Sequence, residues 1–321
     1  MQAYMQAISC LPPQLMRILS GVDEKSKSRC IEICFRIGQP IVLNLTGGCH
    51  FVSGSEQIGR VMESDYHKIP SYRIERKDMD EMLRRFTDYS IHTHTTELHE
   101  GFLTLKGGHR AGFCGSYIKT EESGYGYRIS KIQAIHLRIA RQKQHLADPL
   151  IRMCNDKNKL LSFLIVGPPA SGKTTVLRDF ARAVSNGECC GGYYKVSILD
   201  ERNEICAMSE GVPQFALGVQ ADCFTGYPKA LAAKMAVRTM SPKLIVLDEL
   251  TGEPELDAIK DSFYCGVKTA ATVHAANIAE LSGSRLGKSL LQSGCFDHVV
   301  LLDGNHPGKI RYIKPIEQVL L

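Results

Sequence analysis

The stretch LSFLIVGPPASGKTTVL, Leu161 to Leu177, decides the fold. It carries G-x-x-x-x-G-K-T at Gly167, Gly172, Lys173 and Thr174, behind an uncharged β-type run and ahead of helix formers. Glycines let a loop wrap a phosphate so that backbone N–H groups point inward. The helix that starts there offers its positive end to the anion. On this spacing Gly167, Pro168, Pro169, Ala170, Ser171, Gly172, Lys173, Thr174 and Thr175 form a nucleotide-binding loop. Lys173 is expected to reach the β and γ phosphates and the Thr174 hydroxyl to ligate Mg²⁺, so ATP and Mg²⁺ are the expected ligands.

Outward from this loop the pattern repeats. Leu161–Val166, Val196–Leu199, Leu244–Leu247, Thr269–Val273 and His298–Leu302 are apolar runs with few charges, separated by helical stretches. Such runs suit strands covered on both faces, and their alternation with helices predicts a parallel sheet. The chain is expected to divide into an α+β domain over residues 1–144 and a P-loop domain over 145–321. In the first domain, Ile31–Phe35 and Ile41–Leu45 read as strands around the turn at Gly38, and Asp78–Tyr89 reads as a helix. Gly101–Leu105 and Arg110–Ile118 read as a hairpin through Gly107 and Gly108. Glu121–Tyr127 reads as a polar loop and Ile135–Arg141 as a further strand.

Three more strand ends carry chemistry, and ligands of open α/β sheets gather at such ends. Leu244–Glu249 ends in two acids: Asp248 is placed to hold the magnesium shell and Glu249 to deprotonate an attacking water. Asp200, Glu201 and Glu204 crowd a second end, where like charges repel unless a cation holds them. Thr272–Asn277 ends a third, where His274 could sense the γ phosphate with Asn277 in support. A solvated acidic loop, or a histidine that merely satisfies its hydrogen bonds, would produce the same local pattern.

Walker A loop, Asp box, Walker B strand and histidine box, in this order, resemble the AAA+ secretion ATPases of pilus assembly and of type II and type IV secretion. Those motors usually end Walker B in Gly-Glu, where this chain has Asp248-Glu249, and some have a tetracysteine zinc element that this chain lacks. A narrower resemblance, spanning nearly the whole chain, is to the stage III sporulation protein AA family of endospore-forming bacteria. It is carried by IGQPI at 37–41, GFLTLKGGHRAGFCG at 101–115, LRIAR at 137–141 and LDERNEI at 199–205. The resemblance implies a RecA-like P-loop NTPase core with a smaller α+β N-terminal domain. It implies an ATP-hydrolysing motor in the mother-cell cytoplasm, peripheral to the membrane, at the cytosolic face of the mother cell–forespore channel. It further implies a hexameric ring, membrane-protein channel subunits as partners, and catalytic roles for Glu249, Glu201 and His274. In a ring, a neighbouring subunit would supply an arginine; Arg110, Arg138, Arg141 and Arg238 are the candidates.

Bulk properties bound the alternatives. With 321 residues, 44% of them hydrophobic, the chain can build two cores. A net charge of +5 is too weak to argue for nucleic acid, and no aromatic-plus-basic platform for bases is evident. A nucleic-acid-dependent ATPase and an ATP-loaded scaffold without turnover remain the competing readings. No apolar run is long enough to span a bilayer, and the first twelve residues lack a secretory-signal pattern. The 12 cysteines fall in no zinc-ribbon or redox spacing and are expected to be reduced thiols. His92, His94, His99 and His109, with Glu97 and Glu100, could offer metal ligands, but the stretch also reads as a helix end running into a hairpin.

Overall fold

Contacts along the chain gather into two compact units, Met1–Arg141 and Gln142–Leu321. The structure, a computed structural model, describes residues 1–52, 58–60, 72–119 and 127–320. The loop expected at Glu121–Tyr127 lies, up to residue 126, outside the described residues.

In the first unit, α1 (Gln2–Ser9), α2 (Pro13–Ser20) and α3 (Glu24–Arg29) lead into β1 (Cys30–Arg36), β2 (Val42–Leu45), β3 (Gly48–Val52) and β4 (Ile58–Arg60). Helices α4 (Arg76–Phe86) and α5 (Thr95–His99) precede β5 (Phe102–Leu105), β6 (His109–Lys119) and β7 (Tyr127–Arg138). The strands form one antiparallel sheet in the order β4-β3-β2-β1-β7-β6-β5. Side chains alternate across it. Ile33, Phe35, Leu43, Ile135 and Leu137 pack on one face against Tyr4, Ile8, Leu15, Met79, Met82 and Phe86 from the helices. Glu32, Cys34, Arg36, Asn44, His136 and Arg138 hold the alternate positions.

Several boundaries differ from the sequence expectation, β7 beginning at Tyr127 where the strand was expected from Ile135. The helix expected to reach Tyr89 stops at Phe86: the Thr87 hydroxyl donates back to Leu83 O at 2.9 Å, and Asp88 and Tyr89 turn left-handed with φ of 44° and 60°. The last strand ends at Arg138 and not at Arg141. Beyond it the Ala140 N–H turns to His109 Nδ1 at 3.1 Å, and Arg141 donates to the carbonyls of Cys30 (2.6 Å) and Lys27 (3.1 Å).

The second unit runs α6 (Asp148–Asp156), β8 (Phe163–Gly167), α7 (Lys173–Ser185), β9 (Val196–Asp200), the short strands β10 (Met208–Ser209) and β11 (Val212–Pro213), and β12 (Ala221–Thr225). It continues through α8 (Lys229–Thr239), β13 (Leu244–Leu247), α9 (Glu253–Tyr264), β14 (Lys268–His274), α10 (Ile278–Gly283) and α11 (Arg285–Gln292). The last elements are β15 (His298–Leu302), β16 (Ile310–Pro315) and α12 (Glu317–Leu320). The sheet order is β12-β9-β13-β14-β8-β15-β16, parallel throughout except for the last pair. Along β8, Leu164 and Val166 join a core with Ala232, Ala236, Leu256 and Ile259, while Phe163 and Ile165 join a second core with Leu150, Val176, Leu177 and Phe180. Both faces are therefore covered by helices, and a RecA-like P-loop α/β core results. The two edge strands escape a search for apolar runs because partly exposed edges carry charge, here Asp222 on β12 and Arg311 and Lys314 on β16. The expected parallel sheet thus carries one antiparallel edge strand, β16.

Candidate functional site

Strands β8, β14, β13 and β9 lie side by side and parallel, so their C-terminal ends open on one edge of the sheet. Strand β14 separates the two strands that bear the loop and the paired acids. That order places Thr272 of β14 beside the acidic strand end.

The loop follows β8 through a turn in which Ser171 N–H donates to Pro168 O at 3.3 Å. Ala170 and Gly172 are left-handed, with φ of 59° and 87°. A Cβ on Gly172 would lie 2.5 Å from Gly308 N, so the loop closes only around glycine. Gly308, in the β15–β16 connection, donates its N–H to Ser171 O at 2.7 Å and holds the loop from behind. The Ser171 hydroxyl is buried and, among the described residues, has no hydrogen-bond partner. Lys173, at the first turn of α7, donates from Nζ to Gly167 O (2.8 Å) and Pro168 O (2.9 Å). Burial lowers its ammonium pKa, with Asp248 and Glu249 pulling the other way.

Asp248 is held from both sides by hydroxyls: Thr174 Oγ1 donates to Oδ2 at 2.5 Å and Thr272 Oγ1 donates to Oδ1. The same Thr272 oxygen accepts the Glu249 N–H at 2.7 Å. One threonine thus fixes the relation between the two acids. Glu249 stands at φ 51°, an uncommon backbone for a residue with a side chain, and Lys229 grips its carbonyl at 2.8 Å. The Glu249 carboxylate is ion-paired with Arg202 at 2.9 Å, both side chains substantially exposed.

The acidic strand end after β9 does not gather around one cation. Asp200 is buried and accepts the backbone N–H groups of Glu204 (2.8 Å), Ile205 (3.0 Å) and Cys206 (2.7 Å), which satisfies its charge without a metal. Arg178 braces the same turn through the carbonyls of Ile205 and Glu204, each at 2.6 Å. Glu201 points instead toward Lys229 Nζ at 3.9 Å, and Glu255 approaches that ammonium at 3.6 Å. Asp200, Glu201, Arg202, Lys229, Asp248 and Glu249 line one small cleft.

His274 is exposed and lies in register with Gly167 on the neighbouring strand. Asn277 caps α10, its amide oxygen accepting the Glu280 N–H at 2.9 Å. Among the arginine candidates, Arg110 and Arg138 face each other across β6 and β7, with Arg110 stacked 4.0 Å from the Phe102 ring centroid. Arg141 donates to the Cys30 and Lys27 carbonyls. Arg238 is exposed in the last turn of α8, about 14 Å of helix from Lys229. The histidine group does not converge either. His94 pairs with Glu97 at 2.7 Å, whereas His109 is buried in the sheet.

Thr272 as a bridge, Lys229 and Gly308 were not assigned from sequence. Lys229 had a signal: a lysine at the first position of a helix opposes the helix dipole and asks for nearby acids. Thr272 and Gly308 had none, because their roles depend on strand order.

The geometry can be set beside known proteins. The family described as "Sporulation stage III, protein AA" matches residues 2–318. The stage III sporulation protein AA of Bacillus subtilis (strain 168) is 32% identical over 304 residues, covering 94% of this chain and 92% of that protein. Two solved structures share the fold at 14% identity each. The Legionella pneumophila ATPase DotB has a TM-score of 0.50 over 91% of this chain and 76% of that one. The pilus retraction motor PilT with bound ADP has a TM-score of 0.51 over 85% and 74%.

Proposed function

The chain belongs to the sporulation stage III protein AA family, and on that premise we propose that it binds Mg²⁺–ATP at Gly167–Thr175 and hydrolyses it. In this reading it is an oligomeric secretion-type motor of endospore formation. It works in the mother-cell cytoplasm at the face of the mother cell–forespore channel, docked on membrane-protein subunits. The observation that carries the hydrolytic reading is the hydrogen-bond chain Thr174–Asp248–Thr272–Glu249, which ties the phosphate loop to the backbone of the residue that bears the proposed base.

Nucleotide fits the loop: the turn admits no Cβ at Gly172, and a buried hydroxyl at Ser171 waits unpaired among the described residues. Magnesium fits Thr174 and Asp248, a hydroxyl and a carboxylate, which are the hard oxygen donors it prefers. When bound there it would neutralise charge on the phosphate oxygens. Lys173 would exchange the Gly167 and Pro168 carbonyls for phosphate oxygens. Glu249 would take a proton from the attacking water, which requires Arg202 to release its Oε2. Lys229 keeps the Glu249 backbone in place while that happens, and Glu201 shares Lys229. His274, level with Gly167, would report on the terminal phosphate. Arg110, Arg138 or Arg238 of a neighbouring subunit would stabilise the charge that develops in transfer. Among the described residues no helix is long and apolar enough to cross a membrane.

Replacing Glu249 by Gln tests the assignment. ATP affinity should stay within about threefold while turnover falls by about 10²-fold or more. Unchanged turnover would remove Glu249 from the mechanism. The Arg202–Glu249 pair also favours a second reading, an ATP-loaded scaffold whose base is held off. Tight ATP binding with no turnover at any protein concentration would select it.

A further inference from the structure

We propose that Glu32, Cys34 and His136 form a three-ligand site for a thiophilic divalent cation, zinc in the first place, on the first unit's sheet. The inference is independent of the nucleotide site. Glu32 and Cys34 alternate along β1 and so share a face, and β7 brings His136 directly opposite Cys34. Their ligand atoms converge. Cys34 Sγ lies 3.3 Å from Glu32 Oε2 and 3.7 Å from His136 Nδ1, and Nδ1 lies 3.6 Å from the same Oε2.

These three separations are close to the edges of a zinc tetrahedron. Bonds of about 2.3 Å to sulfur and about 2.0 Å to nitrogen and oxygen, about 109° apart, set the edges from sulfur near about 3.5 Å and the remaining edge near about 3.3 Å. A mixed thiolate, imidazole and carboxylate set suits zinc better than calcium or magnesium. The supporting shell is present too. The Asn44 amide donates to Glu32 Oε2 at 2.8 Å and approaches Cys34 Sγ at 3.5 Å, so one group orients two ligands. An open groove lined by Cys34, Asn44, Cys49 and Phe51 adjoins the trio and leaves a way in and a fourth position.

Without a cation, burial and then the Glu32 carboxylate push the Cys34 thiol up to about 12. Loading would expel that proton as the thiolate binds. Two cations oppose loading. Arg36 Nη2 lies 3.1 Å from His136 Nε2, and Arg138 stands opposite Glu32 in register. A metal on Nδ1 sends the imidazole proton to Nε2, so the exposed Arg36 side chain must swing away.

The test is equilibrium binding of zinc to the reduced full-length chain, with Co²⁺ as the spectroscopic probe of thiolate ligation. One tight equivalent and a thiolate-to-cobalt band are expected. Cys34→Ser and His136→Gln should each weaken binding at least about 100-fold and abolish the band. Asn44→Ala should cost about 10- to 100-fold. Cys49→Ser should change nothing, and Arg36→Ala should tighten binding. His136 is partly exposed, so its variant should keep the parent circular dichroism. Absence of a tight equivalent overturns the proposal. So does a cobalt band that survives both Cys34→Ser and His136→Gln, or one lost instead in Cys189→Ser, whose thiol lies 3.6 Å from that of Cys190.

Discussion

At the scale of single residues, the site turns on a hydroxyl that no motif names. Thr272 donates to Asp248 and accepts from the Glu249 amide, so it sets the angle at which the proposed base faces the loop. Thr272→Val keeps the shape and removes both bonds. At about 1 kcal/mol each, turnover should fall about tenfold or more, while Thr272→Ser should stay within a few-fold of the parent. Steady-state ATPase rates for the pair check this, and equal rates in Val and Ser would show that the hydroxyl is not used. Arg202 makes the opposite case. Its ion pair with Glu249 is exposed, so Arg202→Ala should move stability by less than about 1 kcal/mol. With Arg202 gone, Glu249 Oε2 is open to the attacking water, and basal turnover should rise in a rate assay with unchanged nucleotide affinity.

At the scale of elements, buried polar groups at strand ends decide conformation. Asp200 illustrates this: three amides of the following turn fold onto its carboxylate, and an apparent acidic cluster becomes a structural turn. His109, at the start of β6, has a different consequence. It is buried, Nδ1 accepts from Ala140, and burial with Arg141 nearby lowers its pKa to about 4. In the unfolded chain the same imidazole titrates near about 6.5. Between those values the unfolded state binds a proton that the folded state refuses, so stability falls as pH drops from about 6.5 to about 4 and then levels. The loss is about 3 kcal/mol at its limit. Thermal unfolding of the full chain across this range should show it, and His109→Gln should flatten that part of the pH dependence.

At the scale of the whole molecule, the proposed motor would take an arginine from a neighbouring subunit, with Arg110 and Arg138 on the first unit's sheet and Arg238 at the far end of α8 as candidates. Specific ATPase activity should therefore rise with protein concentration, in step with mass measured by light scattering or analytical ultracentrifugation. Constant specific activity in a monomer would place all the catalytic groups within one chain.

Much of this was legible in the linear chain. A glycine-rich loop announces itself because its spacing is local and its chemistry demands particular residues, as at Gly167–Thr174, and fully buried strands announce themselves as apolar runs. The charged edge strands β12 and β16 gave no such run, and α4 ended early on a side-chain-to-backbone bond that competes with the helix. What the sequence by itself determined is the P-loop core, the acid pair at Asp248 and Glu249, and the family. What only the tertiary structure decided is which neighbours those groups have. The insertion of β14 between β8 and β13 sets Thr272 between the acids, and the pairing of β1 with β7 brings His136 to Cys34. The physical reason is that strand order and register are settled by long-range packing, whereas motif spacing reports only the path of the chain.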